Sequence, residues 1–128
     1  MILCDTNILI EIYRDNGTII ETVTKIGQEN IAVSDVTCAE LLFGARNKKE
    51  LQAIRKDLNK LTILPIQSTV SSLAVELVEK YALSHKLSLP DALIASTAIT
   101  HNMELYTLNV KDFRFLEDVK LFINPYKV

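Results

Sequence analysis

The chain opens on an apolar run, Met1-Ile2-Leu3-Cys4, that stops at a carboxylate, Asp5. A second apolar run, Ile8-Leu9-Ile10, follows at once and is extended by Ile12 and Tyr13. A short continuous apolar run is what a strand buried on both faces of a parallel sheet requires. The second run reads as a helix, so Asp5-Thr6-Asn7 falls at a strand-to-helix junction. In open α/β sheets ligands bind in the crevice beyond the carboxyl ends of the strands. Asp5 is therefore either a helix cap or a functional carboxylate, and partners elsewhere in the chain decide between the two.

The rest of the chain alternates in the same way. Ile31-Ala32-Val33 is a second short buried strand, Leu61 to Ile66 a third, with Pro65 near its end, and Glu104 to Leu108 a fourth. Leu121 to Ile123 is a fifth, at the edge. Between them lie helical patterns: Ile19, Val23 and Ile26, ended by Gly27; Val36 to Ala45, started by Ser34 or Asp35; Leu51, Ile54, Leu58 and Leu61; a long helix from Ser68; and one opened by Ser88-Leu89-Pro90-Asp91 and closed at His101-Asn102. Arg14-Asp15-Asn16-Gly17 reads as a turn in which Gly17 supplies the positive φ. Strands separated by helices predict an α/β fold, one domain over residues 1–128, with a mostly parallel sheet of four to five strands. Right-handed crossovers put the strand ends on one side.

Composition narrows the function. No apolar run is long enough to span a bilayer, which argues against a membrane protein. The N-terminus does not read as a signal peptide, because it lacks a basic start and Asp5 breaks its apolar run. Cys4 and Cys38, the only cysteines, sit among apolar neighbours, as reduced buried thiols of a cytoplasmic protein would. Two isolated cysteines with the distant His85 and His101 lack zinc-site spacing. The formal net charge of -2 does not advertise a polyanion binder. Arg46, Lys48, Lys49, Arg55, Lys56 and Lys60, against only Glu50 and Asp57, could still make a local basic face; an ordinary solvated helix face is the alternative.

Three further carboxylates resemble Asp5 in their placement. Glu40 shares a helical face with Val36, Phe43 and Gly44, among the apolar Ala39, Leu41 and Leu42. A charge beside a core-facing stripe is costly without a partner or a metal. The competing reading is a capping box, Thr37-Cys38-Ala39-Glu40. Asp91 lies in the first turn of its helix, where capping and the helix dipole also suit it, but Ile94, Ala95 and Ala98 on its side allow close packing that points it at the strand ends. Asp112 follows the fourth strand with Thr107 and Asn109; turn chemistry explains such residues equally well.

Four acids that converge would repel one another and demand cations. Their hard oxygens favour Mg²⁺ or Mn²⁺, ions that activate water and stabilise in-line attack on phosphorus. No Ser/His or Cys/His nucleophile pattern is visible, so metal-assisted hydrolysis is the simplest chemistry. Setting the four acids aside takes the formal charge from -2 to +2, a mildly basic surround that suits a polyanionic substrate.

The residues match a known pattern. The chain resembles the PIN-domain ribonucleases and, within them, the VapC-like toxins of prokaryotic toxin–antitoxin pairs. The resemblance rests on Leu3-Cys4-Asp5-Thr6-Asn7-Ile8-Leu9, on Ser34 to Ala45, on Leu89-Pro90-Asp91-Ala92-Leu93-Ile94-Ala95 and on Thr107-Leu108-Asn109-Val110-Lys111-Asp112-Phe113. These pieces occur in the family's order and at about its spacing. The resemblance implies that Asp5, Glu40, Asp91 and Asp112 bind Mg²⁺ or Mn²⁺ and position the water that cleaves RNA. It implies that Thr6, Asn7, Thr107 and Asn109 support those acids or touch substrate. It also implies a compact α/β/α sandwich around the parallel sheet, a homodimer, and a cognate antitoxin that covers the toxin surface and blocks the site. Large apolar residues of the early helices, Leu9, Ile10, Tyr13, Leu41, Leu42 and Phe43, could form the groove such a partner needs.

Other readings fit less well. A receiver-type signalling domain shares the length and the Mg²⁺-binding acids. It needs an acidic pair where this chain has Asp5-Thr6, and an Asp after the third strand where this chain has Gln67. A haloacid-dehalogenase-type phosphatase needs a second Asp where this chain has Asn7. A catalytically silent PIN-like module that only binds RNA or protein is the remaining alternative.

Overall fold

A computed structural model describes residues 1–126 of the chain. Five short strands form one sheet: β1 (Ile2–Cys4), β2 (Ile31–Ser34), β3 (Thr62–Leu64), β4 (Glu104–Tyr106) and β5 (Lys120–Leu121). Their spatial order is β3-β2-β1-β4-β5, and every pairing is parallel. The chain leaves β1 on one side to make β2 and β3, then crosses to the other side of β1 for β4 and β5. β1 is thus the switch point of the sheet, and a crevice opens at its carboxyl end.

Six helices cover the sheet: α1 (Thr6–Tyr13), α2 (Gly17–Ile26), α3 (Asp35–Phe43), α4 (Lys48–Leu58), α5 (Ser68–His85) and α6 (Leu89–Thr100). Successive strand residues point to opposite faces, and the packing shows it. Leu3, Ala32 and Leu105 join one core with Ala74 of α5 and with Ala92, Ile94, Ala95 and Ala98 of α6. Their chain neighbours Cys4, Val33 and Tyr106 join the other, with Ile8, Leu9, Ile19, Ile54 and Leu58 of α1, α2 and α4. α3 feeds both cores, through Val36 on one side and Cys38 and Leu41 on the other. The small residues of α6 let it lie close to α5, and the buried Ser96 hydroxyl donates to the Val70 carbonyl at 2.6 Å.

The expected elements are present, with shorter strands. β3 ends before Pro65, which has no N–H to donate. Two expectations are corrected. Between α1 and α2 the positive φ of 63° belongs to Asp15, not Gly17; Gly17 begins α2, and the Asn16 side chain caps it. Asp tolerates the left-handed region better than most residues. Leu51 and Leu61 also leave the expected stripe: α4 ends at Leu58, and Leu51 is exposed. Gly27 does end α2, with a φ of 90° that side-chain-bearing residues rarely adopt, and Asn102 takes the left-handed turn after α6.

Candidate active site

Asp5 is the first residue beyond β1. Its backbone N–H donates to the Tyr106 carbonyl at 2.9 Å, which ties it to the end of β4. Its side chain caps α1 and also reaches Thr107. One carboxylate oxygen, Oδ1, accepts the Thr6 N–H at 2.8 Å, and the other, Oδ2, accepts the Thr107 hydroxyl at 2.8 Å. The group is buried, and burial raises its pKa above the ordinary carboxylate range. The hydrogen bonds from Thr107 and Thr6 pull it down, and the charges of Glu40 and Asp112 push it up.

Thr107 is a junction. Its hydroxyl donates to Asp5 and accepts from Asn7 Nδ2 at 3.4 Å and from the Asn109 N–H at 3.0 Å. Asn7 Oδ1 also accepts the Leu108 N–H at 3.2 Å. Asn7 at the start of α1 and Thr107 at the end of β4 therefore staple the two segments that flank Asp5. Asn109 supplies its backbone to this network while its own residue stays exposed.

Glu40 does not close a capping box. α3 begins at Asp35, and the Ser34 hydroxyl caps it by accepting the Val36 N–H at 3.0 Å. Nor does Glu40 lie on a stripe that stays in the core, since Phe43 on its face is 93% exposed. Glu40 is exposed too, but its Oε1 accepts the Thr6 hydroxyl at 2.9 Å. That bond turns it toward Asp5. Thr37 was legible only as a capping residue; it is in fact a fully buried hydroxyl 2.9 Å from Thr6 Oγ1. Its position one helical turn before Glu40 was the available clue.

Asp91 enters from the start of α6, where the Ser88 hydroxyl accepts its N–H at 3.4 Å. Its pKa is pushed up to about 6, first by burial and then by the charges of Asp5, Asp112 and Glu40, with the Ser88 hydroxyl pulling the other way. Asp112 closes a short 3-10 turn, Val110–Asp112, and its N–H donates to the Asn109 carbonyl at 2.9 Å. The next residue, Phe113, is buried in the core on the α5–α6 face. The four acids thus share one crevice and act on one another electrostatically. Among the described residues, no three His, Cys, Asp or Glu side chains are gathered tightly enough to grip an ion as they stand. The arrangement is an open acidic crevice.

A family model described as PIN domain matches residues 2–117. The chain belongs to the PIN-domain family. Among curated relatives, ribonuclease VapC10 of Mycobacterium tuberculosis is 30% identical over 122 residues, which cover 94% of this chain and 91% of that protein. The fold is similar to a chain of a toxin–antitoxin complex from Klebsiella pneumoniae, with a TM-score of 0.80, 31% identity and 100% of both chains covered. It is also similar to VapBC2 from Rickettsia felis bound to a DNA fragment from their promoter, with a TM-score of 0.79, 28% identity, and 95% of this chain and 98% of that chain covered.

The electrostatics of this PIN domain have a consequence for stability. Asp91 has a folded pKa near 6, above the value of about 3.9 for an unfolded Asp. Between these values the native state holds more protons than the unfolded one, so stability falls as pH rises through the window. In EDTA, the unfolding midpoint of Asp91→Asn should therefore exceed that of the wild type by a gap that is widest near pH 7 and closes toward about pH 4. A gap independent of pH would mean that Asp91 titrates like a free carboxylate.

Proposed function

We propose that this PIN-domain protein is a metal-dependent endoribonuclease, the toxin of a toxin–antitoxin pair. The observation that carries the reading is the convergence of Asp5, Glu40, Asp91 and Asp112 at the switch point of the sheet, where their charges oppose one another. The likeness to ribonuclease VapC10 over nearly the whole of both proteins supports RNA as the substrate.

The donor set suits Mg²⁺ or Mn²⁺. It consists of hard carboxylate oxygens with no soft ligand among them, and a divalent cation would relieve their repulsion. Asp5, Glu40, Asp91 and Asp112 would hold the ion. When bound, it supplies an activated water and charge stabilisation at phosphorus. The protein's own share is positioning. Thr107 and the Thr6 backbone fix Asp5, Thr6 fixes Glu40, and Asn7 fixes the loop that leads to Asp112.

RNA would meet the basic residues of the α3–α4 segment. Arg46 is engaged with Glu50, through Nε at 3.0 Å and a terminal nitrogen at 3.0 Å. Lys48, Lys49, Arg55 and Lys56 are exposed and enter no ion pair among the described residues. Lys48 and Lys49, at the start of α4, follow α3 and its Glu40 most closely. Changing both to Gln should lower the salt slope of RNA affinity by about 1 to 2. An unchanged slope would return them to an ordinary solvated surface.

Partners follow from exposed apolar surface. A groove of about 430 Å³ between α1, α2 and α4 is lined by Leu9, Ile12, Tyr13, Val23, Leu58 and Leu61, among others. At its rim the Tyr13 hydroxyl donates to Asp57 at 2.7 Å. An antitoxin segment with apolar anchors would fill it. Of the apolar residues of the early helices, Ile10, Tyr13 and Phe43 are exposed, whereas Leu9 and Leu41 are buried in the core. Val75 and Leu83, 60% and 99% exposed on α5, supply a further apolar surface on which a homodimer would draw. No helix among the described residues is long and apolar enough to cross a membrane, and we place the protein in the cytoplasm.

Cleavage of a mixed panel of structured RNAs tests the nuclease reading. Products should appear with Mg²⁺ or Mn²⁺ and vanish in EDTA. Cleavage that persists in EDTA would overturn the metal-dependent reading.

A further inference from the structure

We propose that Thr37 is a positioning residue of this site: it orients Glu40 through a one-way relay of hydroxyl protons that passes through Thr6. The inference rests on the nuclease reading for its consequence, and on geometry for its existence.

The direction of the relay follows from counting protons. A hydroxyl donates one proton, and a carboxylate only accepts. The Thr6 proton goes to Glu40 Oε1 at 2.9 Å. Thr6 therefore has none left for Thr37, whose oxygen is also 2.9 Å away. The Thr37 hydroxyl must donate to Thr6 Oγ1. Each bond polarises the next, which strengthens the Thr6 contact to the carboxylate.

Burial makes the relay matter. Thr37 is 0% exposed, and Thr6 is buried too. Water has no access to Thr37, so it cannot replace the donor that holds Thr6. Thr6 Oγ1 is the only partner found for the Thr37 hydroxyl among the described residues. Glu40 is the exposed member of the four acids, and an exposed Glu side chain is otherwise free to sample many rotamers. The relay leaves α3 at Thr37, crosses to α1 at Thr6 and returns to α3 at Glu40. Because the Thr6 N–H also binds Asp5, one residue sets the relative placement of two acids.

The test compares Thr37→Val, which keeps the shape and removes the hydroxyl, with Thr37→Ser, which keeps the hydroxyl. Thr37→Ala replaces the Val variant should that one fail to fold. RNA cleavage by Thr37→Val should fall about tenfold in kcat with KM within about twofold, and Thr37→Ser should recover most of it. Without RNA, a double-mutant cycle on stability between Thr37→Val and Glu40→Ala should be non-additive by about three- to tenfold in the unfolding constant. Additive stabilities together with wild-type cleavage would overturn the relay. Equal losses in the Val and Ser variants would also overturn it, because packing and not the hydroxyl would then be at work. Coupling that persists in a wild-type protein that cleaves no RNA would support the relay and count against the nuclease reading.

Discussion

Asp91→Asn should leave a protein that is more stable without metal and far less active. The wild-type carboxylate is held against burial and against the charges of Asp5, Asp112 and Glu40. One pKa unit corresponds to about 1.4 kcal/mol. Partial exposure screens the interaction, so the relief expected on the order of 1 kcal/mol lies well below the unscreened figure. That raises the metal-free unfolding midpoint by a few degrees. The same change removes a negative oxygen where the ion would sit, so cleavage should drop by about a hundredfold or more. Thermal unfolding in EDTA and single-turnover RNA cleavage measure the two effects. A variant that is less stable and cleaves normally would mean that Asp91 serves only the helix start.

Phe113→Ala should have the largest effect on folding. Phe113 is 1% exposed and packs with Leu3, Ile94, Leu105 and Leu116 in the core between the sheet and α5–α6. Removing a buried Phe side chain costs about 3–5 kcal/mol in lost transfer energy and cavity formation. For a chain of this size the midpoint should drop by about 10–20 °C. The functional consequence follows from position. Phe113 is the anchor just after the turn that carries Asp112, and its N–H donates to the Val110 carbonyl at 3.1 Å. Cleavage should therefore fall even at temperatures where the variant remains folded. A loss below about 1 kcal/mol would mean that the core collapses around the gap.

The two substitutions locate opposite ends of one design. The cores on either side of β1 stabilise the fold, and the crevice at its carboxyl end works against it. Asp5 and Asp91 are held at raised pKa by burial and by neighbouring carboxylates, Glu40 and Asp112 for both and Asp5 as well for Asp91. A bound cation would convert that repulsion into attraction, so Mn²⁺ at a hundred times its Kd should stabilise the wild type by about 2.7 kcal/mol, and Asp91→Asn, binding it about tenfold more weakly, by only about 1.4 kcal/mol.

Much of this was legible in the sequence because the relevant signals are local. Asp5, Asp91 and Asp112 stand out where apolar runs break, and the alternation of short strands and helices predicts the parallel sheet that brings the breaks together. The shared face of Leu3, Ala32 and Leu105 follows from strand periodicity. What was not legible depends on distant partners. Thr37 and Thr6 lie 31 residues apart, and nothing local shows that their hydroxyls meet. Glu40 drew notice as a charge beside an apolar stripe, but that stripe turns outward at Phe43, and only the packing of α3 between the two cores shows it. The exposure of Leu51 has the same origin: spacing gives a face to α4, and the neighbouring elements decide how much of it they cover.

Binding of Mn²⁺ tests the central claim most directly, because it does not depend on knowing the RNA target. Calorimetric titration of the wild type, of Asp5→Asn and of Asp91→Asn near pH 7 would measure it. We predict saturable binding to the wild type that weakens at least about tenfold in each variant, since each substitution would remove one of the proposed ligands. Binding of equal strength to all three proteins would contradict the account, for the four acids would then not form a common metal site.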